Sequence, residues 1–214
     1  MPVHMNQMVA DFAVALKAID ERRPQAKSQR SGRVFQPGIG PFAESKAVEM
    51  VLAEMGERNQ ERYGDYSLSV PYPLNRRTRC DLCIGIAPEW EWAIEVKLLR
   101  FLGDNGKRND NILKHVLSPF YCDHSSLTDC GKLLDRGLAG RKGILIYGYE
   151  CGEEEYSLDV ALEAFELLAR HWFLLGPRCE APFTDLVHPV HASGRVFGWE
   201  VLERARATGA GGGP

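Results

Sequence analysis

Between about Asn6 and Arg22 the apolar residues Met8, Phe12, Ala15, Leu16 and Ile19 recur at helical spacing, which predicts an amphipathic helix lying on the body of the protein. Residues 23–40 are basic and rich in Gly, Pro, Gln and Ser, the composition of a mobile connection. A second helix is expected to begin near Pro41, since proline suits the first helical position, and to run to Gly56 with Val48, Val51, Leu52 and Met55 inward. One turn back along that stripe stands Glu44, so its carboxylate points toward the protein body, a costly place for an unpaired charge.

The period then changes to two. Tyr66 to Leu74 reads as a strand that ends at an edge or bends, because it carries Pro71 and Pro73. Arg79 to Ala87 separates Cys80, Leu82, Ile84 and Ile86 from Asp81, Cys83 and Gly85. Glu91 to Leu99 separates Trp92, Ile94, Val96 and Leu98 from Ala93, Glu95 and Lys97, with a turn around Pro88-Glu89 between the two strands.

A short helical stretch follows from about Asn109 to Leu117. Ser126 can cap the next helix, with Asp129 as a near relative of the capping-box acid, Leu127, Cys130, Leu133, Leu134 and Leu138 inward, and Gly137 and Gly140 at its end. Ile144 to Tyr149 is a short apolar strand of the buried, parallel kind. Ser157 caps a helix carrying Ala161, Ala164, Phe165, Leu168 and Trp172 inward, with Gly176-Pro177 as its stop. Leu186 to Leu202 reads as a hairpin turning at Ser193-Gly194, and residues 206–214 as a disordered tail.

Composition narrows the class. With 214 residues, 44% hydrophobic and 26% charged, and a formal net charge of -3, the chain suits one buried core and excludes bulk disorder and a generic polyanion binder. No apolar run is long enough to cross a bilayer and the first residues lack the pattern of a signal peptide, so a cytoplasmic protein with no membrane partner is expected. Its six cysteines then read as free thiols. Cys80 and Cys83 form a CxxC, but odd separation on a strand turns them to opposite faces and no second CxxC follows, which favours structural thiols over zinc. The odd spacing of His188 and His191 favours structural histidines in the same way. Asp123-His124-Ser125 lacks a nucleophile elbow. Gly38-Ile39-Gly40 lacks the strand and the GK[ST] ending of a phosphate loop, so no nucleotide triphosphate is expected to bind.

Asp81, Glu95 and Lys97 carry the chemistry. A hard divalent cation such as Mg²⁺, or Mn²⁺ in its place, takes oxygen ligands and keeps several waters, so one or two carboxylates can hold it. Asp81 and Glu95 can supply them, and the ammonium of Lys97 beside them would hold an attacking water and offset phosphate charge. If both acids share a face of one hairpin, opposed residues must have an even sum of numbers. The turn then has an odd number of residues, such as Pro88, Glu89 and Trp90 with Asp81 opposite Lys97, or a bulge intervenes. Basic residues at Arg76, Arg77, Arg100, Lys107 and Arg108, with Lys114 on the next helix, are candidates for nucleic-acid contacts; solvated loops would bear the same residues. Asp104, Asn105 and Asn109 could line the same cleft.

Asp81, thirteen intervening residues, and then Glu95-Val96-Lys97 resemble the PD-(D/E)XK nucleases, and the helix, three strands, helix, strand order of residues 41–150 matches that superfamily over about half the chain. The resemblance implies an α/β fold with a mixed central sheet flanked by helices, a restriction-endonuclease-like αβββαβ core. To this core are added the N-terminal helix 6–22 and a C-terminal extension, 151–205, of helix plus hairpin, in one domain spanning 1–205. It further implies that Asp81 and Glu95 bind Mg²⁺ together with the carbonyl of Val96, that Lys97 positions the nucleophilic water, and that Glu44 matches the acid many members carry on the first core helix. The activity implied is metal-dependent hydrolysis of DNA leaving a 5′-phosphate. Duplex cleavage by single-site subunits generally calls for two subunits, which makes a homodimer plausible. Arg79-Cys80 stands where the family name has proline, a position that varies widely. The alternative is a catalytically inactive nuclease-like fold serving as a nucleic-acid-binding or assembly subunit. Lys97→Ala is expected to abolish cleavage with folding nearly intact.

Overall fold

The computed structural model describes residues 2–28, 31–110, 112–134, 138–152 and 157–203. Gly137 and the tail 206–214 lie outside these residues. The helices are α1 (Met5–Glu21), α2 (Glu44–Arg58), α3 (Gln60–Tyr63), α4 (Lys114–Leu117), α5 (Ser126–Leu133) and α6 (Leu158–Trp172). The strands are β1 (Tyr66–Pro71), β2 (Arg79–Ile86), β3 (Glu89–Arg100), β4 (Ala139–Tyr149), β5 (Leu174–Leu175), β6 (Cys179–Phe183) and β7 (Gly194–Leu202).

They form a seven-stranded mixed sheet in the order β1-β2-β3-β4-β7-β5, with β6 also paired to β7. β1, β2 and β3 make an antiparallel meander, and β4 returns parallel to β3 after the segment containing α4 and α5. The fold is therefore α/β with an open mixed sheet flanked by helices, in agreement with the mixed central sheet expected. Central strands covered on both faces need apolar residues at every position, and Gly143 to Tyr149 is buried throughout. On one side Leu82, Ile84, Trp92, Ile94 and Val96 share a core with residues of α1 and α2. On the other, Cys83, Ala93, Ile144 and Ile146 meet residues of α5 and α6. Trp92 and Trp199 are fully buried and keep their indole N–H groups satisfied, on Val3 O at 3.0 Å and on Glu166 Oε1 at 2.8 Å.

The β2–β3 turn resolves the register question by the bulge. Ile86 pairs with Glu89, so the connection is the two-residue Ala87-Pro88 and not the three-residue turn predicted. Glu91 is then the extra residue between Gly85↔Trp90 and Ile84↔Trp92, which restores an even sum from there on. Extending the register past Leu82↔Ile94 sets Asp81 opposite Glu95, not Lys97. Gly85 makes this possible: its φ is +108°, and a Cβ there would lie 2.9 Å from the Glu91 nitrogen. Gly85→Ala is expected to destabilise the chain by on the order of 2 kcal/mol, seen as a fall of roughly 4–8 °C in thermal melts; an unchanged Tm would show the bulge to be dispensable.

Other expectations are corrected. Ser125, not Ser126, caps α5, its Oγ accepting from Thr128 N at 3.2 Å, and α5 ends at Leu133, short of Leu138. The stretch after Asn109 is helical only at Lys114–Leu117. Trp172 lies at the end of α6 with 46% of its surface exposed. β7 pairs with β6 and not with a strand starting at Leu186, so residues 184–193 form a connection. His188 and His191 lie in it, buried and stacked with ring centroids 4.8 Å apart, where strand alternation does not apply. The described part of the 23–40 connection is tied down: Asp20 Oδ1 accepts from Ile39 N at 2.8 Å and Ile39 is fully buried. Among the described residues no helix is long and apolar enough to cross a membrane.

Candidate active site

Backbone pairing lapses around Asp81. β1 and β2 pair at Leu68↔Leu82 and again at Val70↔Cys80, skipping Ser69 and Asp81, and the β2–β3 ladder stops at Leu82↔Ile94. A ladder that opens leaves polar groups that must find other partners. Val96 N donates to Asp81 Oδ2 at 2.9 Å, and the Cys80 thiol donates to Ile94 O at 3.4 Å. Two strands thus part, and an aspartate carboxylate enters the gap. The same irregularity brings Cys80 and Cys83 into one buried cluster, against the simple alternation, and all six cysteines are free thiols.

Four predicted residues converge here. Glu95 and Asp81 lie close enough for their carboxyls to influence one another, and Tyr72 Oη donates to Glu95 Oε1 at 2.6 Å. Glu95 is 2% exposed, and its carboxyl is pushed up to about 10 by burial first, then by the charges of Asp129 and Asp81. Glu44 reaches in from the first turn of α2, as its helical stripe predicts, and its Oε2 accepts from Leu98 N at 2.5 Å. Burial raises its carboxyl to about 7 against the lowering effects of Lys97 and the Leu98 amide. Lys97 Nζ lies 3.3 Å from Val96 O and 2.7 Å from Asp129 Oδ2. The Asp129 contact is a close ion pair. Burial works against the Lys97 ammonium, yet Asp129, then Glu44 and Asp81, hold its pKa above the ordinary lysine value. Glu44, Asp81 and Val96 line a cleft of about 280 Å³ together with Ser69.

Asp129 was hidden in the sequence by its distance from a serine, which reads as a helix cap. With Ser125 as the true cap, Asp129 falls on the inward stripe of Ser126, Cys130 and Leu133, the same test that placed Glu44. It is fully buried and also pairs with Lys132. Tyr72 carried no signal beyond its place next to a proline.

The predicted basic contacts divide. Arg76 and Arg77 are exposed on the β1–β2 turn, and Lys107 and Arg108 are exposed after β3. Arg100 is engaged within the fold, donating from Nη1 to Gly40 O at 2.6 Å and lying 3.6 Å from Asp104. Lys114 pairs with Asp123 at 2.7 Å. Asp104 also meets His191 Nε2 at 3.1 Å, and Asn109 Nδ2 donates to Arg100 O at 3.0 Å, so both build the loop that follows β3. Asn105 is exposed in that loop, its Oδ1 accepting from Lys107 N at 3.0 Å.

Among the described residues no group of three or more His, Cys, Asp or Glu side chains is disposed to hold a metal ion. The donor set to be judged is therefore two carboxylates, Asp81 and Glu95, with the Val96 carbonyl. No protein-family model, curated protein or solved structure matches this chain significantly.

Proposed function

We propose that this chain is a cytoplasmic, metal-dependent nuclease that hydrolyses DNA phosphodiester bonds, built on a restriction-endonuclease-like core made of α2, β1–β3, α5 and β4. The observation that carries this reading is the meeting of Asp81 and Glu95 where two strands part, with Glu44 and Lys97 beside them. Its donor set fits Mg²⁺ or Mn²⁺: the four acids Glu44, Asp81, Glu95 and Asp129 outnumber the ammonium groups of Lys97 and Lys132, and the charges of Asp129 and Asp81, which add to burial in raising the Glu95 carboxyl, are ones a divalent cation would offset. Asp81, Glu95 and the Val96 carbonyl would hold it, and the bound ion would supply Lewis-acid stabilisation of the charge that grows on the phosphate. Lys97, steadied by Asp129, orients a water and offsets phosphate charge from the protein side. Arg76, Arg77, Lys107 and Arg108 give exposed positive charge for the strand backbone. A homodimer is the assembly that duplex cleavage by such a subunit would call for.

The test is incubation with labelled single-stranded, duplex and branched DNA and with RNA, with Mn²⁺, with Mg²⁺ and with EDTA, beside Asp81→Asn. Cleavage that needs the metal, leaves 5′-phosphates and disappears in the variant is expected. Equal cleavage by the variant, or none by the wild type, would sink the reading.

A binding or assembly subunit is the second reading. It is favoured by the closure of the site, since Tyr72 caps Glu95 and Lys97 is engaged with Asp129. Calorimetric titration with Mn²⁺ separates the two, because a subunit without a metal site takes up no ion through its carboxylates.

A further inference from the structure

On the α5 side of Glu95, behind Tyr72, lies a cleft of about 700 Å³ lined by Tyr72, Asn75, Thr78, Tyr121, His124 and Lys132, among others. One wall is the β1–β2 turn, where Arg76 and Arg77 are exposed. The other is the loop before α5, which holds two large aromatic side chains in solvent, Phe120 at 67% and Tyr121 at 71% exposure. Two neighbouring exposed aromatic side chains offer an apolar surface suited to contact. This loop is braced by its own bonds: Ser118 Oγ donates to Asp123 Oδ2, Ser125 Oγ donates to Ser118 O, both at 2.5 Å, and Lys114 pairs with Asp123. The cleft is one side chain away from the acids, through Tyr72 to Glu95 and through Lys132 to Asp129.

A flat aromatic platform, amide, hydroxyl and imidazole groups that can meet a heterocycle's edge, and guanidinium groups at the rim are the elements that hold an unpaired base with its phosphate. We propose that this cleft receives one unpaired nucleobase of the substrate strand, stacked on Tyr121 with its backbone phosphate against Arg76 and Arg77. The protein would thus act on single-stranded DNA or on a base extruded from a duplex. This deepens the nuclease reading and rests on it for the substrate's identity. Its volume of about 700 Å³ admits a nucleoside together with its phosphate, and its place beside Glu95 puts the next phosphate of that strand near the acids.

Fluorescence anisotropy of the full chain in EDTA, at one fixed salt, tests it with three labelled DNAs: a single strand, a perfect duplex, and a duplex with one bulged base. The single strand is expected to bind at least about tenfold tighter than the perfect duplex. Tyr121→Ala should cost roughly tenfold on the single strand, within the range of one lost base stack, and leave the perfect duplex unchanged, while Tyr121→Phe retains the affinity. Tyr121 is exposed, so melting curves of the variants should match wild type. Tight binding of the bulged duplex adds extruded bases to the ligands, and binding like the perfect duplex limits them to single strands; both agree with the pocket. A Tyr121→Ala effect under twofold on the single strand, or no preference for it over duplex, overturns it. Cleavage assays keep the two readings apart. Tyr121-dependent binding without any metal-dependent cleavage rejects the enzyme and keeps the pocket, whereas Asp81-dependent cleavage insensitive to Tyr121 does the reverse.

Discussion

Glu95→Gln is expected to raise the melting temperature of the metal-free chain at pH 8 while abolishing cleavage. Glu95 is buried, hydrogen-bonded to Tyr72 and close to Asp81, and raised to about 10 against an ordinary value of 4.5. A group whose folded pKa lies above its unfolded one binds more protons when folded, so its contribution is whole below about pH 4.5 and is lost as pH climbs toward 10. Glu44, raised to about 7, adds a loss between about pH 4.5 and 7. The metal-free wild type should therefore melt at lower temperature as pH rises from 5 to 9. Glutamine keeps the acceptor for Tyr72 without a proton to lose, so the variant's profile should be flatter. At pH 8 the gain should be about 2 kcal/mol, roughly 4–8 °C. Mn²⁺ should stabilise the wild type and leave the variant unmoved, because only an ion that binds the folded site shifts its stability. Scanning calorimetry across pH, with and without Mn²⁺, measures both; a variant that melts lower at pH 8 would show that the carboxyl is not under strain.

Lys97→Ala should lose activity on the order of 10³-fold, the scale of removing one preorganised cationic donor. It should also lose stability, which revises the expectation that folding stays nearly intact. Asp129 is fully buried, and Lys97 and Lys132 are its counter-charges. Breaking a buried pair from one side costs about 3–5 kcal/mol, and with Lys132 still in place about 2 kcal/mol is expected. Adding Asp129→Asn to Lys97→Ala removes the stranded charge and should recover most of the melting temperature without recovering cleavage. Asp129→Asn alone should lower cleavage by roughly tenfold, the effect of releasing a group that orients another. Urea melts and single-turnover cleavage of the four proteins complete the cycle; full activity of Lys97→Ala would remove the lysine from the mechanism.

Element type was legible where one period ran long. α1, α2 and α6 bury one stripe each, and residues 82–84 of β2 and 92–94 of β3 turn alternately to the two cores, so their placement follows from residue spacing. What escaped depends on atoms far apart in sequence. The bulge at Glu91 is decided by a single glycine with positive φ, and nothing in the alternation of β3 announces it. The hairpin partner of β7 was misplaced because Cys179–Phe183 is only five residues long and carries a proline. Of the site, Glu44, Asp81, Glu95 and Lys97 were read from the chain because each sits in a regular element. Asp129 was visible to the same stripe test once its cap is shifted by one residue. Tyr72, after the end of β1, could be found only by folding the meander.

Both ends of the sheet discourage intermolecular strand addition. At one end the border on β7 is shared by β5, which pairs over only two residues, and β6, which pairs over five and carries Pro182, a residue with no N–H to offer. At the other, β1 breaks its own ladder at Ser69, whose φ of +55° turns the carbonyl onto Arg79, and stops at Pro71, which has no N–H to offer. The departure from regularity that admits Asp81 to the gap thus also blunts an otherwise adhesive border, so a repair of the strand at Ser69 would close the acid site and invite fibril-like self-association together.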